Sequence, residues 1–253
     1  MQIYPSILEE NLENFTIQFE KLAPFFDHFQ IDIADGEFVE HRTVQIEELR
    51  RGLPAGRQGW GDGVWQRGRG VEEGIGGKTF EFHLMANDYK KDIEKLHELS
   101  QILTITQVLV HLKPFLKNPL SSPLHLSSSR SPYPPITSSD FNLGLVLSPE
   151  DLVVPNLSTI QQFNNLTIQI MTIEPGFQGN KFIPEMLLKI NELREHGFTG
   201  QIILDGGIND QSLPIILKNK YLPDAVCPGS YLHEDTEQRL RNLLRLIETH
   251  GNS

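Results

Sequence analysis

Four short runs in this sequence hold side chains suited to moving protons or holding a metal ion. In Gln30-Ile31-Asp32-Ile33-Ala34 the two-residue period of a strand puts Gln30, Asp32 and Ala34 on one face and the isoleucines on the other. The same period in Glu81-Phe82-His83-Leu84-Met85 groups Glu81, His83 and Met85. Asp205 closes Ile202-Ile203-Leu204-Asp205 and precedes Gly206 and Gly207, and Ser6 follows Pro5 near the start of the chain. An acid turned away from isoleucines toward an interior needs compensation. Aspartate and histidine are also ordinary ligands for zinc, manganese or iron. Taken alone, Asp205 reads equally well as a turn former bonding its own backbone, and His83 as a hydrogen-bonded core histidine. Their convergence on one place favours an acid-base or metal cluster.

Glycine recurs after three late strands, in Glu174-Pro175-Gly176-Phe177-Gln178-Gly179, in Asp205-Gly206-Gly207 and in Pro228-Gly229-Ser230. Without a Cβ these positions let backbone N–H groups approach a ligand closely. The late loops of a parallel barrel are its usual phosphate site.

Such residues meet only if alternating strands and helices bring the strand ends together. Strands are predicted at Ile3–Leu8, His28–Ile33, Thr79–Met85, Ile105–Leu112, Asn142–Leu147, Thr167–Ile173, Gln201–Leu204 and Ala225–Cys227. Between them, Leu12, Phe15, Phe19 and Leu22 recur at helical spacing within Asn11–Phe26, and a short helix begins near Thr43. Further helices are predicted at Asp88–Leu99, Leu152–Phe163, Pro184–His196, Ser212–Asn219 and Thr236–His250. Eight strands interleaved with helices imply a single (β/α)8 TIM barrel spanning residues 1–253.

Two segments fit no element. Residues 50–77 carry ten of the 20 glycines, both tryptophans and five arginines, and residues 114–140 carry eight serines and six prolines. Neither can supply a core face, so both are expected to be low-complexity insertions. A phosphate-loop reading of the first is disfavoured, because Gly56, Gly59, Gly61 and Gly63 match no strand-turn-helix frame. The 28- and 27-residue segments carry net charges of +2 and +1, so the other 198 residues carry −14 of a total of −11.

That acidity argues against nucleic acid as a partner. The single cysteine, Cys227, excludes an internal disulfide framework and a multi-cysteine zinc site. No apolar run reaches the roughly 18 residues of a membrane span. Met1–Leu8 reads as a strand rather than a signal peptide. The expectation is a soluble cytoplasmic protein.

Several runs together, Pro5-Ser6-Ile7-Leu8, the DIADGEFV stretch from Asp32 to Val39, His83-Leu84-Met85, Met171-Thr172-Ile173-Glu174-Pro175-Gly176-Phe177 and Asp205-Gly206-Gly207-Ile208, resemble the ribulose-phosphate 3-epimerase family in order and spacing. The resemblance covers roughly residues 1 to 49, 78 to 112 and 141 to 233. It implies interconversion of D-ribulose 5-phosphate and D-xylulose 5-phosphate by inversion at carbon 3. It further implies a divalent cation (zinc, manganese, iron or cobalt) on two histidines and two aspartates, with the aspartates as acid and base.

Asp32, His83 and Asp205 match three of those ligands. Gln30 stands where the family has its other histidine, which implies weaker binding or another metal, and His41 in the next loop is a candidate substitute. Ser6, Met85 and Met171 match sugar-binding positions, and Gly176, Gly179, Gly206, Gly207, Gly229 and Ser230 match phosphate-site positions. Ala34 replaces a pocket methionine, which keeps a six-carbon ketose phosphate open as substrate, and Gln178 replaces a phosphate-loop glycine. The family resemblance also implies a homo-oligomer, and Gln30 keeps open a degenerate barrel that binds sugar phosphate without turnover.

Overall fold

A computed structural model of the protein describes residues 1–52, 76–120, 141–163, 166–175 and 179–251. Most of the glycine-rich and serine/proline-rich segments lies outside the described residues.

Among the described residues, nine strands form one sheet in which every pairing is parallel. They are β1 (Gln2–Ile3), β2 (Ser6–Ile7), β3 (His28–Ala34), β4 (Thr79–Met85), β5 (Thr104–His111), β6 (Asn142–Leu147), β7 (Thr167–Met171), β8 (Gln201–Asp205) and β9 (Ala225–Cys227). Their order is β1-β9-β8-β7-β6-β5-β4-β3-β2. The expected first strand is split because Pro5 has no N–H to give to a ladder. Before the break the Tyr4 N–H donates to the Val226 carbonyl at 3.0 Å, and after it the Pro5 carbonyl accepts from the Gln30 N–H at 3.0 Å. A segment of six residues therefore bonds to both edges of the sheet, which curls round in a TIM-barrel-like α/β fold.

Helix α1 (Leu12–Leu22) is capped by Asn11, whose side chain accepts from the Asn14 N–H, and buries Phe15, Phe19 and Leu22. It ends four residues before the expected Phe26, because Pro24 cannot continue the N–H ladder. Helices α2 (Ile46–Gly52), α3 (Tyr89–Leu99) and α4 (Leu112–Lys117) follow. The first residues of the serine/proline-rich segment thus belong to α4, where Pro114 sits in the first turn and its missing N–H costs nothing. The expected Leu152–Phe163 helix is broken into 3-10 turns at Val154–Asn156 and Gln161–Phe163 around the short α5 (Leu157–Ile160). Helices α6 (Leu187–Glu195), α7 (Leu213–Leu217) and α8 (Thr236–Gly251) follow among the described residues.

Strand alternation divides the apolar residues in two. Ile31, Ile33, Phe82, Leu84, Val108 and Val110 join the large cluster shared with the helices. Leu109, Val146, Met171 and Ile173 form a separate, smaller cluster. The intervening polar positions Gln30, Asp32, Glu81, His83, Gln107 and His111 are all buried. No helix among the described residues is long and apolar enough to cross a membrane.

The first helix is held on the strands by aromatic packing. The Phe19 ring lies 5.0 Å from Phe29 and 6.0 Å from Phe80, centroid to centroid. Phe19→Ala is expected to cost about 3–5 kcal/mol in denaturant unfolding. Ile17→Ala on the exposed face of α1 should stay within about 0.5 kcal/mol of the parent.

Candidate active site

Parallel strand register places the three candidate ligands together. Asp32 in β3 is the direct partner of His83 in β4, and Asp205 closes β8. His83 Nδ1 lies 3.0 Å from Asp32 Oδ1 and 3.5 Å from Asp205 Oδ2. The three groups are buried, and their ligand atoms lie within 4.8 Å of one another. These separations match those of neighbouring ligands around a cation with bonds of about 2.0–2.2 Å, so Asp32, His83 and Asp205 form a group able to hold a metal ion. His41 is not part of it.

The backbone on either side is tied down. The Thr43 hydroxyl donates to the Asp32 carbonyl and accepts from the Ala34 N–H, both at 2.9 Å. The Thr172 N–H and hydroxyl both donate to the Asp205 carbonyl, at 2.7 and 3.0 Å. Gly206, at φ 107°, passes so close to Ile173 that a Cβ would meet its Cγ1 at 2.3 Å.

Gln30 links the two acids. Its fully buried amide donates from Nε2 to Asp32 Oδ1 at 3.0 Å and to Asp205 Oδ2 at 2.9 Å, while its Oε1 accepts from the Cys227 thiol at 3.2 Å. Turning the amide round would set its oxygen against two carboxylates, so the chemistry of the neighbours fixes its direction. Gln169 supplies a further donor to Asp205 Oδ2 at 3.0 Å.

These contacts shape the titration of the cluster. Burial, reinforced by the charge of Asp205, pushes the Asp32 carboxyl up to about 6 against the hydrogen bonds from His83 and Gln30. Burial pulls the His83 imidazolium down, but hydrogen bonds to Asp205 and Asp32 and their charges outweigh it and raise the group to about 9. Burial also raises the Cys227 thiol well above its ordinary range.

Two groups that sequence reasoning did not single out complete the site. His111, at the end of β5, lies 2.9 Å from His83 Nε2 through its own Nε2, and its Nδ1 lies 2.9 Å from the Ser148 hydroxyl. Burial and the neighbouring His83 charge hold His111 well below the ordinary histidine range. A charged His83 therefore donates to a neutral His111, which carries its proton on Nδ1 toward Ser148. The signal for His111 and for Gln169 was strand alternation, which puts Gln107, Leu109 and His111 on one face and Thr167, Gln169 and Met171 on another.

Of the predicted ligand-binding residues, Ser6, Met85, Met171, Gly179, Gly206, Gly207, Gly229 and Ser230 line one cavity with Asp32, His83 and Asp205. Gly176 and Gln178 lie outside the described residues. Ala34 is buried and takes no part in that lining.

A sequence profile of the ribulose-phosphate 3 epimerase family matches residues 73–232. The ribulose-phosphate 3-epimerase of Methanocaldococcus jannaschii is 46% identical over 55 residues, an alignment that spans 20% of this chain and 24% of that protein. The ribulose-phosphate 3-epimerase of Helicobacter pylori is 26% identical over 250 residues, or 95% of this chain and 94% of that protein. Among solved structures, the 3-hexulose-6-phosphate synthase of Salmonella typhimurium superposes with a TM-score of 0.59 at 13% identity, covering 99% of this chain and 100% of that one, a likeness of fold alone.

Two outcomes follow for the metal-free protein. Folded His83 binds its proton more tightly than the ordinary 6.5, so its stabilisation is complete below about 6.5 and is lost as pH rises through about 9. Asp32 acts in the same direction at lower pH, losing its contribution as pH rises from 3.8 through about 6. In chelator, the stability difference between the parent and His83→Asn should therefore shrink from pH 6.5 to 9; a difference that grows would contradict the assignment. His111→Leu leaves the His83 Nε2–H without an acceptor and should cost about 1–3 kcal/mol, with Ser148→Ala nearer 1 kcal/mol, both read by urea denaturation.

Proposed function

The chain belongs to the ribulose-phosphate 3 epimerase family, and we propose that it is an isomerase that interconverts D-ribulose 5-phosphate and D-xylulose 5-phosphate by inverting carbon 3. The observation that carries this reading is the pair of buried carboxylates, Asp32 and Asp205, bridged by the Gln30 amide. Inversion beside a ketone needs a base on one face of the carbon and an acid on the other. One carboxylate takes the carbon-3 proton and the other delivers a proton to the opposite face. With its carboxyl near 6, Asp32 gains and loses a proton readily near neutral pH.

Ser6, Met85 and Met171 hold the sugar. Backbone N–H groups at Gly179, Gly206, Gly207, Gly229 and Ser230, with Gly176, receive the phosphate, which lets an acidic protein bind an anion through local dipoles. A divalent cation held by Asp32, His83 and Asp205 would supply Lewis-acid stabilisation of the charge that develops on the substrate oxygens. One imidazole and two carboxylates suit manganese, iron, cobalt or zinc. His83 must release its Nδ1 proton to serve as a ligand, and His111 holds the far side of its ring.

In this reading residues 1–253 are one cytoplasmic (β/α)8 barrel. Gln2–Ile7 counts as its single interrupted first strand, and the insertions shrink to residues 53–77 and 118–140, because the expected starts at 50 and 114 belong to α2 and α4. A five-carbon substrate is favoured over a six-carbon one by Met85 and Met171, which line the cavity that Ala34 does not reach. The second reading is a barrel that binds sugar phosphate without turnover. Its support is that the Gln30 N–H groups engage the same Asp32 and Asp205 oxygens that a cation would use.

Incubation of the purified protein with ribulose 5-phosphate and each of the four metals should yield xylulose 5-phosphate. Asp32→Asn and Asp205→Asn should each lower kcat by about 10²–10⁴. Failure with all four metals, reversed by Gln30→His with a gain in bound metal, would establish the second reading instead.

A further inference from the structure

At the end of the sheet opposite Asp32 and Asp205, the strand beginnings line a second, partly open cavity of about 370 Å³. Tyr4, His28, Glu81, Gln107, Thr167 and Gln201 contribute to its lining. Glu81 is fully buried, and Gln107 and Thr167 nearly so. One Glu81 oxygen, Oε2, accepts from Gln107 Nε2 at 2.5 Å and lies 3.3 Å from His28 Nε2. The other, Oε1, is buried with no hydrogen-bond partner among the described residues. A carboxylate taken out of water with half its acceptor capacity unmet is costly until a donor or a positive charge reaches it.

The surroundings define what would meet that need. The lining holds no lysine or arginine among the described residues. The remaining polar groups are largely engaged with one another: the Thr167 hydroxyl donates to Gln107 Oε1 at 2.7 Å, and Gln201 Nε2 to the Tyr4 hydroxyl at 3.3 Å. His28 is anchored on its other side by the Thr79 hydroxyl at 2.8 Å and lies edge-on to the Tyr4 ring at 4.3 Å. Apart from the His28 imidazole beside Oε2, the cavity thus offers one carboxylate, neutral amide and hydroxyl oxygens and an aromatic ring. That is a hard donor set with a single formal negative charge, suited to a single positive charge rather than to a divalent ion that needs several carboxylates. The group of three ligands suited to a metal lies at the other end of the barrel.

We propose that this second cavity binds one small monovalent cation against Glu81, either an alkali ion or the ammonium group of a small amine. Occupancy satisfies the orphan oxygen and stabilises the folded barrel without entering the active site.

Melting temperatures of the full chain, with manganese held constant, would be compared in potassium, sodium, methylammonium and tetramethylammonium chlorides at equal ionic strength. Potassium or sodium should raise the melting temperature by about 2–10 °C over bulky tetramethylammonium; a rise with methylammonium alone would identify the amine source. Glu81→Gln should abolish the difference. Gln107→Lys, which sets a tethered ammonium beside Glu81, should fold and be insensitive to the choice of salt. Equal melting temperatures in all four salts, or a difference that survives in either variant, would overturn the proposal.

Discussion

Two buried aspartates lie within a few ångströms of each other in this protein, and most of the architecture around them answers that fact. Like charges at such separations in a low-dielectric setting repel strongly, and each also loses its hydration. Compensation comes from donors delivered by different strands: Gln30 reaches both acids, Gln169 reaches Asp205, and His83 stands between them. The same repulsion that makes the pair costly makes one member easy to protonate. That repulsion adds to burial in pushing the Asp32 carboxyl up to about 6.

A parallel sheet that curls onto its own first segment is well suited to this. Every strand runs the same way, so strand ends gather at one mouth, and side-chain alternation sends polar residues inward while isoleucines and phenylalanines meet the helices. The split at Pro5 matters because it lets one short segment bond first to β9 and then to β3, bringing Ser6 to the rim of the same cavity. The strand beginnings gather other polar groups, including Glu81, at the far end, so the two mouths of one barrel carry different chemistry.

Much of this was legible in the residues. The period of Leu12, Phe15, Phe19 and Leu22 announced a helix, and the alternation around Asp32 and His83 announced inward-facing acids and a histidine. Where the reading departed from the structure, the cause was tertiary or local steric. Pro24 stops the first helix before Phe26, and Pro5 divides a strand because its two halves have different neighbours. His111 was hidden because a histidine ending an apolar strand looks the same whether it packs in a core or supports a ligand; only the contact with His83, 28 residues away in sequence, separates the two. Gln30 was seen as a substitution in a ligand set. Its role as a bridge depends on Asp205, 175 residues further along the chain, and on the Cys227 thiol that donates to its oxygen.

The central claim is that Asp32 and Asp205 act as base and acid on opposite faces of one carbon. Partial conversion of ribulose 5-phosphate in deuterated water, followed by mass spectrometry of substrate and product, tests it most directly. The account predicts xylulose 5-phosphate carrying one deuterium at carbon 3, with that label lost from the product formed by Asp32→Asn and Asp205→Asn only through loss of turnover. Product that retains its original hydrogen at carbon 3 would contradict it.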